Sequence, residues 1–238
     1  MIYDNITVLL ADGRSGSHAI YMWLLNNMED TFGMPYACPL IYTYPFGKKF
    51  IDDYAGENNL LFRAEFISAF IQNDEIFKFF NMDTKEVKNV LDLCDNLNIF
   101  MILRDFYNYI ASWISLIKTK QHLSENQLAH KVRIWKERAD RYIKNDVHFI
   151  LYNEWDKSES YRKSLKSIFS DKPVNDQYKS DFNCTTENFG LASGFETDTR
   201  HQRFKELTPE EFKLFERIID ENPDLCELSD QIFGKVYS

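Results

Sequence analysis

Residues 6–18 read ITVLLADGRSGSH, an apolar run followed by a short polar turn that contains two glycines. Ile6–Leu10 is a continuous run of β-branched and aliphatic residues, which is typical of a strand buried in a parallel sheet. The turn covers Ala11–Ser17, and Ser17 can cap a helix that continues to about Met28. The sequence therefore begins with a predicted strand–turn–helix unit.

The alternation of strand and helix continues along the rest of the chain. Further strands are predicted at Leu60–Phe66, Asn98–Leu103 and Val147–Tyr152, and further helices at Asp83–Leu97, Phe106–Ile117, from Ser124 onward, near Tyr161–Phe169 and from Thr208 onward. Residues 33–57, which hold three of the six prolines, and the polar residues 171–200 are predicted to be irregular. This pattern predicts an α/β fold with a parallel sheet flanked by helices. The length of 238 residues fits one domain over 1–238, since domains hold roughly 100–200 residues.

The composition is that of a folded, acidic protein. Hydrophobic residues make up 44% and charged residues 27% of the chain, which excludes wholesale disorder. With 28 basic against 37 acidic side chains, the net charge is −9. This balance argues against broad binding of nucleic acid or anionic membranes, but it is compatible with a small local pocket for an anion.

The N-terminus and the cysteines predict a cytoplasmic protein. The N-terminus has no basic leader and no small-residue cleavage site, and no apolar run reaches the roughly 18 residues of a membrane span. The cysteines are scattered, with no CxxC pair and no histidine at ligand spacing; they are Cys38, Cys94, Cys184 and Cys226. We therefore expect reduced thiols, a cytoplasmic location, no membrane span and no structural metal.

The turn at 12–18 has the residue types of an anion site. In parallel α/β sheets, ligands bind outside the carboxyl ends of the strands, and this turn follows the first predicted strand. Gly13 and Gly16 allow backbone amides to approach an anion closely, and the helix N-terminus adds partial positive charge. Further donors come from the side chains of Arg14, Ser15, Ser17 and His18. The alternative is a tight turn that merely contains polar residues.

The turn departs from the common nucleotide-binding loops. An ATP-binding P-loop reads GxxxxGK[ST], but Gly16 is followed directly by Ser17, and no lysine occurs between residues 11 and 47. The GxGxxG pattern of dinucleotide-binding folds is also absent. The ATP-binding loop and the Rossmann loop are therefore disfavoured.

A second candidate anion site follows a later strand. Arg104 comes directly after the predicted strand Asn98–Leu103, and Ser112 follows eight residues later on the next predicted helix. Eight residues are slightly more than two helical turns, so the two side chains can reach one face, and an arginine with a hydroxyl makes a good phosphate clamp. Taken alone, a structural ion pair between Arg104 and Asp105 or another acid explains the arginine equally well.

Together, the two segments resemble the sulfotransferases that use 3′-phosphoadenosine 5′-phosphosulfate (PAPS). In that family a 5′-phosphosulfate loop of the form [KR]-[ST]-G-[ST]-[ST] follows the first strand, and it corresponds here to Arg14-Ser15-Gly16-Ser17-His18. A 3′-phosphate motif, often LRDPxNxxxS, follows a later strand, and it corresponds to the segment from Arg104 to Ser112. The match departs at His18, where a second hydroxyl is usual, and at Phe106, which replaces the proline.

The resemblance implies a P-loop NTPase-like sulfotransferase architecture, with PAPS as co-substrate, adenosine 3′,5′-bisphosphate as product and no metal. Cofactor contacts would come from Arg14, Ser15, Gly16, Ser17, His18, Arg104 and Ser112, and from Arg200 or Arg203 near the C-terminus. Catalysis would use Arg14 and, as the base, Glu65 on the second predicted strand. The alternatives are a carboxylate of Glu65 that is simply paired with Arg63, and a solvated basic patch around Arg200 and Arg203.

The acceptor is the least determined part of the predicted reaction. Residues 33–57 are rich in aromatic side chains, namely Tyr36, Tyr42, Tyr44 and Phe46, which suggests an entrance for a sugar or a molecule with an apolar face. We therefore expect a small-molecule or carbohydrate acceptor with a hydroxyl or an amine, and neither nucleic acid nor membrane as a partner. The rival interpretations are a P-loop kinase of nucleotides or small molecules and a non-catalytic nucleotide-binding module of the same fold.

Overall fold

The computed structural model describes residues 3–28, 31–34, 59–65, 94–119, 125–145, 147–168, 174 and 201–237. The chain forms two compact units. The first is made of Met1–Ile102, Val147–Ile150 and Ser158–Tyr178, and the second of Leu103–Asp146, Leu151–Lys157 and Lys179–Ser238. The expectation of one domain over 1–238 stays a prediction.

A five-stranded sheet is the framework of the first unit. Its strands are β1 (Tyr3–Ala11), β2 (Thr31–Met34), β3 (Asn59–Glu65), β4 (Cys94–Leu103) and β5 (His148–Leu151). They lie in the order β2-β3-β1-β4-β5, and β1 runs parallel to both β3 and β4. Because β1 is central, Leu9, Leu10 and Ala11 are almost completely buried. The predicted buried first strand and the α/β class with a parallel sheet are therefore confirmed.

The helices account for most of the remaining described residues. They are α1 (Ser17–Asn27), α2 (Phe106–Thr119), α3 (Glu125–Lys144), α4 (Tyr152–Lys157), α5 (Glu159–Lys166), a 3-10 helix (Arg203–Glu206), α6 (Pro209–Glu221) and α7 (Pro223–Phe233). The first unit contains α1 and α5, and the second unit contains the others. Helix α1 packs against β1, β2 and β3 through Ile20, Trp23 and Leu24, which recur at helical spacing and are buried.

Helix α2 is the centre of the second unit. It contacts α3, α6, α7 and the 3-10 helix, and its buried residues Phe106, Ile110 and Ile114 repeat every fourth position. The ring of Trp135 on α3 packs on Phe106 with 5.0 Å between the centroids. A second aromatic cluster joins the 3-10 helix, α6 and the C-terminal segment. It consists of Phe204, Phe215 and Tyr237, whose ring centroids lie 5.1–5.9 Å apart. This packing fixes the elements that carry the site residues of the second unit.

Two predicted boundaries are wrong, one at the start of β4 and one at the end of β5. Strand β4 begins at Cys94, where it pairs with Tyr3 of the equally extended β1. The predicted helix Asp83–Leu97 is therefore wrong over 94–97, and its first part lies outside the described residues. The predicted strand Val147–Tyr152 ends at Leu151, since Tyr152 opens α4.

Three other elements differ from the sequence expectation. Strand β2 covers Thr31–Met34 and pairs with β3, although residues from 33 onward are predicted to be irregular; four residues with a glycine carry too little alternation to reveal a strand. Helix α5 begins at Glu159 and not near Tyr161, because the hydroxyl of Ser158 accepts a hydrogen bond from the Tyr161 amide and caps it. Helix α7 was not predicted as a separate helix. It follows α6 directly and starts with a proline.

Candidate functional site

The turn after β1 is tight and has two residues in the left-handed region. Gly16 is the N-cap of α1 with φ 85°, and Arg14 has φ 70°. Glycine adopts this conformation without cost, whereas a residue with a side chain loses roughly 1–2 kcal/mol there. The strained backbone of Arg14 is therefore a specific feature of this turn, of the kind that clusters at ligand sites.

The serines of the turn are both buried. The Ser15 hydroxyl donates to the carbonyl oxygen of Asp12 at 2.7 Å, and the Ser15 amide donates to the same oxygen at 3.3 Å. Ser15 thus helps to shape the turn, and its predicted contact with a phosphate stays a prediction. Ser17 is the first residue of α1, and His18 is the second. Because the N-cap is a glycine, no capping side chain covers the positive end of the helix from that position.

Glu65 is the last residue of β3, and its Cα pairs with that of Ala11, the last residue of β1. The backbone of the predicted base therefore lies beside the residue that opens the turn. The side chains of Glu65 and His18 lie outside the described part of the structure, so the role of each stays a prediction.

Arg104 begins the candidate site of the second unit. Its side chain is 6% exposed, its carbonyl oxygen accepts a hydrogen bond of 2.7 Å from the Trp135 indole, and its guanidinium carbon lies 4.9 Å from the centre of the Tyr152 ring. Burial lowers the pKa of the guanidinium, and the positive charge of Arg203 lowers it further, while Asp105 raises it. Since arginine stays charged, Arg104 is a buried cation, and its predicted contact with a 3′-phosphate stays a prediction.

The Asp105 carboxylate is a structural group of the second unit. It is completely buried, and its oxygens accept hydrogen bonds from the Asn108 amide at 2.9 Å, from the Asn108 side chain at 3.0 Å and from the Asn153 side chain at 2.9 Å. The charge of Asp105 still acts on Arg104, but its hydrogen bonds fix the start of α2. The alternative for Arg104, a structural ion pair with Asp105 or another acid, stays a prediction.

Helix α2 carries the rest of the Arg104–Ser112 segment. Ser112 is buried and lies four residues after Asn108, so both lie on one face of the helix. The amide of Phe106 donates to the Ser229 hydroxyl at 3.0 Å. A proline at position 106 would have no N–H and could not make this bond.

The segment 201–203 approaches the same face of α2. Arg203 opens the 3-10 helix, and that helix contacts α2. His201 bonds to Asp156 through Nε2 at 2.7 Å, and Arg203 bonds to Glu206 at 3.2 Å. Arg200, the other predicted contact, lies outside the described residues.

Sequence reasoning assigned no role to several residues of this region. These are Asn108, Asn153, Asp156 and His201. Asn108 stands inside the quoted Arg104–Ser112 motif, so its position was available as a signal. The others meet through tertiary contacts across 45 to 93 positions of sequence, which no local pattern reveals.

Two further observations bear on the predicted partners. Within the described ranges, no group of three or more His, Cys, Asp or Glu side chains is arranged to hold a metal ion. In the same part of the chain, no helix combines the length and apolar character needed to cross a bilayer.

Comparisons with known proteins support the fold. No protein-family model matches the chain, and no curated protein sequence matches it. Among solved structures, it is similar to the sulfotransferase domain of the olefin synthase of Synechococcus PCC 7002, with a TM-score of 0.54 and 11% identity over 91% of this chain and 94% of that domain. At this identity the similarity concerns the fold alone: the chain has a sulfotransferase-like α/β fold.

Proposed function

We propose that the protein is a sulfotransferase that moves a sulfuryl group from PAPS to a hydroxyl or amine acceptor. The observation that carries this proposal is the environment of Arg104, which is buried, packed on Tyr152 and within electrostatic range of Arg203. In a sulfotransferase-like fold, an arginine at the end of this strand is suited to a 3′-phosphate, which distinguishes PAPS from ATP. Ser112 and Arg203 would complete this contact.

The turn after β1 would bind the other end of the nucleotide. Its glycine geometry and the N-terminus of α1 suit a 5′-phosphosulfate, with contacts from Ser15, Gly16, Ser17 and His18. Arg14 would neutralise the charge that develops on the oxygen that leaves the sulfuryl group.

The reaction itself needs a base and no metal. Glu65 would take the proton of the acceptor, the acceptor oxygen or nitrogen would form a bond to sulfur, and the bond from sulfur to the 5′-phosphate oxygen would break. Adenosine 3′,5′-bisphosphate would leave with the electron pair of that bond. A sulfuryl group carries less charge than a phosphoryl group, so the proposal requires no bridging Mg²⁺.

The proposals for the acceptor and the location rest on the sequence alone. We propose a small molecule or carbohydrate acceptor at the aromatic residues 33–57, and a protein that works in the cytoplasm. The aromatic segment lies outside the described residues except for its first two positions.

Titration calorimetry tests the proposal against its rivals. The protein should bind adenosine 3′,5′-bisphosphate more tightly than ATP–Mg²⁺, and EDTA should leave the affinity for the bisphosphate unchanged. Tighter binding of ATP–Mg²⁺ would favour a kinase and overturn the proposal. Binding of the bisphosphate without sulfuryl transfer from labelled PAPS to carbohydrates, phenols or lipids would favour a non-catalytic nucleotide-binding module.

A further inference from the structure

Asn108 connects the segment 201–203 to α2 through two hydrogen bonds. Its side chain is completely buried. Its Nδ2 donates to the carbonyl oxygen of His201 at 2.9 Å, and its Oδ1 accepts from the amide of Arg203 at 2.6 Å. One carboxamide thus holds the backbone on both sides of Gln202, as a neighbouring β-strand would.

The orientation of this carboxamide is itself fixed. Nδ2 also donates to both carboxylate oxygens of Asp105 at 3.0 Å, and the Asn108 amide donates to Oδ1 at 2.9 Å. Asp105 is held in turn by Asn153, which donates to the carboxylate and accepts from the Asp105 amide. Since a carboxylate only accepts, the NH2 group of Asn108 must face it, and Oδ1 must face the Arg203 amide.

This connection matters because of the charges on either side of it. Arg104 is adjacent to Asp105 in the chain, and Arg203 follows the held residue Gln202. The charge of Arg203 acts on Arg104, and two guanidinium groups repel one another, so the hydrogen bonds of Asn108 hold the segment 201–203 against this repulsion. The bond from His201 to Asp156 is a second restraint on the same segment.

We propose that Asn108 is the positioning residue of the 3′-phosphate site, and that its carboxamide sets Arg203 against Arg104 for binding of a 3′-phosphate monoester. This inference rests on the proposed function. Asn108 does not itself touch the nucleotide in this account; it acts through Arg203. Its loss should therefore weaken recognition of the 3′-phosphate and leave the rest of the nucleotide unaffected.

The test compares adenosine 3′,5′-bisphosphate with 5′-AMP, which lacks the 3′-phosphate. Asn108→Ala should raise the dissociation constant of the bisphosphate by roughly 10- to 100-fold, the range for losing a charge-assisted contact, and leave that of 5′-AMP unchanged. In an Arg203→Ala background, Asn108→Ala should have no further effect on the ratio of the two constants. If Asn108 had a merely structural role, Asn108→Ala would weaken the binding of both ligands, and its effect would add to that of Arg203→Ala.

Asn222→Ala is the control, because it removes a side-chain hydrogen bond in the same unit, from Nδ2 to the carbonyl oxygen of Ile218 at 2.8 Å, that is not one of the bonds that hold Asp105 and Asn108. It should lower the melting temperature in a similar way and leave the ratio within error. If Asn108→Ala does not fold, Asn108→Ser replaces it, since a hydroxyl is too short to bridge His201 and Arg203.

The outcomes separate the two proposals. A wild-type protein that does not prefer the bisphosphate to 5′-AMP overturns the proposed function. A wild-type protein with that preference, combined with an Asn108 variant that keeps it or with additive effects in the double variant, overturns the role of Asn108 alone.

Discussion

The turn after β1 and the Arg104 region reach the same predicted chemistry, anion binding, by different means. The turn is made by consecutive residues, and its shape depends on backbone conformation at Arg14 and Gly16. The Arg104 region is held by hydrogen bonds that join the side chains of Asp105, Asn108 and Asn153 and the backbone of the segment 201–203. The first region should therefore respond mainly to changes in backbone geometry, and the second to changes in particular side-chain groups.

The strongest loss of activity is expected from a change of the predicted base beside the turn. Glu65→Gln should lower the turnover of PAPS by about 10²- to 10⁴-fold, because proton transfer from the acceptor is lost, while the affinity for adenosine 3′,5′-bisphosphate stays the same. Steady-state kinetics and calorimetry measure the two quantities. Glu210→Gln, an exposed carboxylate in the first turn of α6, is the control and should change neither. Unchanged turnover in Glu65→Gln would place the base elsewhere.

The next effect concerns the Arg104 guanidinium. Arg104→Ala should weaken the binding of adenosine 3′,5′-bisphosphate by about 2–4 kcal/mol, as for a buried charge-assisted contact, and leave 5′-AMP unaffected. Arg104→Lys should recover only part of the loss, since lysine keeps the charge but not the planar fork. Calorimetry with both nucleotides provides the check, and an affinity for the bisphosphate that stays within error in Arg104→Ala would remove the assigned role.

A smaller effect should distinguish the turn from the Arg104 region. Gly16→Ala forces a side chain into φ 85° at a cost of about 1–2 kcal/mol, so it should weaken 5′-AMP and the bisphosphate by the same factor. Gly234→Ala is the matched control, because Gly234 has φ 73° and no atom within 4 Å of an added Cβ. Gly234→Ala should lower the free energy of unfolding without changing the affinity for 5′-AMP or for the bisphosphate. A selective loss of the bisphosphate in Gly16→Ala would contradict the division of roles.

The smallest effect tests whether general destabilisation of the second unit mimics a site defect. The Thr208 hydroxyl and Glu211 form a capping box at the start of α6. Thr208→Ala should lower the free energy of unfolding by about 1 kcal/mol, and Thr208→Ser should restore most of it. Neither variant should change the ratio of bisphosphate to 5′-AMP affinity. A changed ratio would mean that this selectivity reports stability and not contacts.

The two regions also differ in how far their sequences predict them. The turn lies within a few residues, so its glycines and the flanking apolar run already indicate a strand, a tight turn and a helix, and all three are confirmed. The start of β4 was not predicted, because it is decided by the pairing of Cys94 with Tyr3, which is far away in the sequence. The positions of Arg104 and Ser112 in the sequence were enough to predict them as site residues. The roles of Asn153 and Asp156 depend on contacts that only the folded chain creates.

The most direct test of this account is a crystal structure of the protein with adenosine 3′,5′-bisphosphate. We expect the 5′-phosphate within hydrogen-bond distance of the amides of Gly16 and Ser17, and the 3′-phosphate on the guanidinium of Arg104 and the hydroxyl of Ser112. A nucleotide whose phosphates contact neither the turn nor Arg104 would contradict the proposed function.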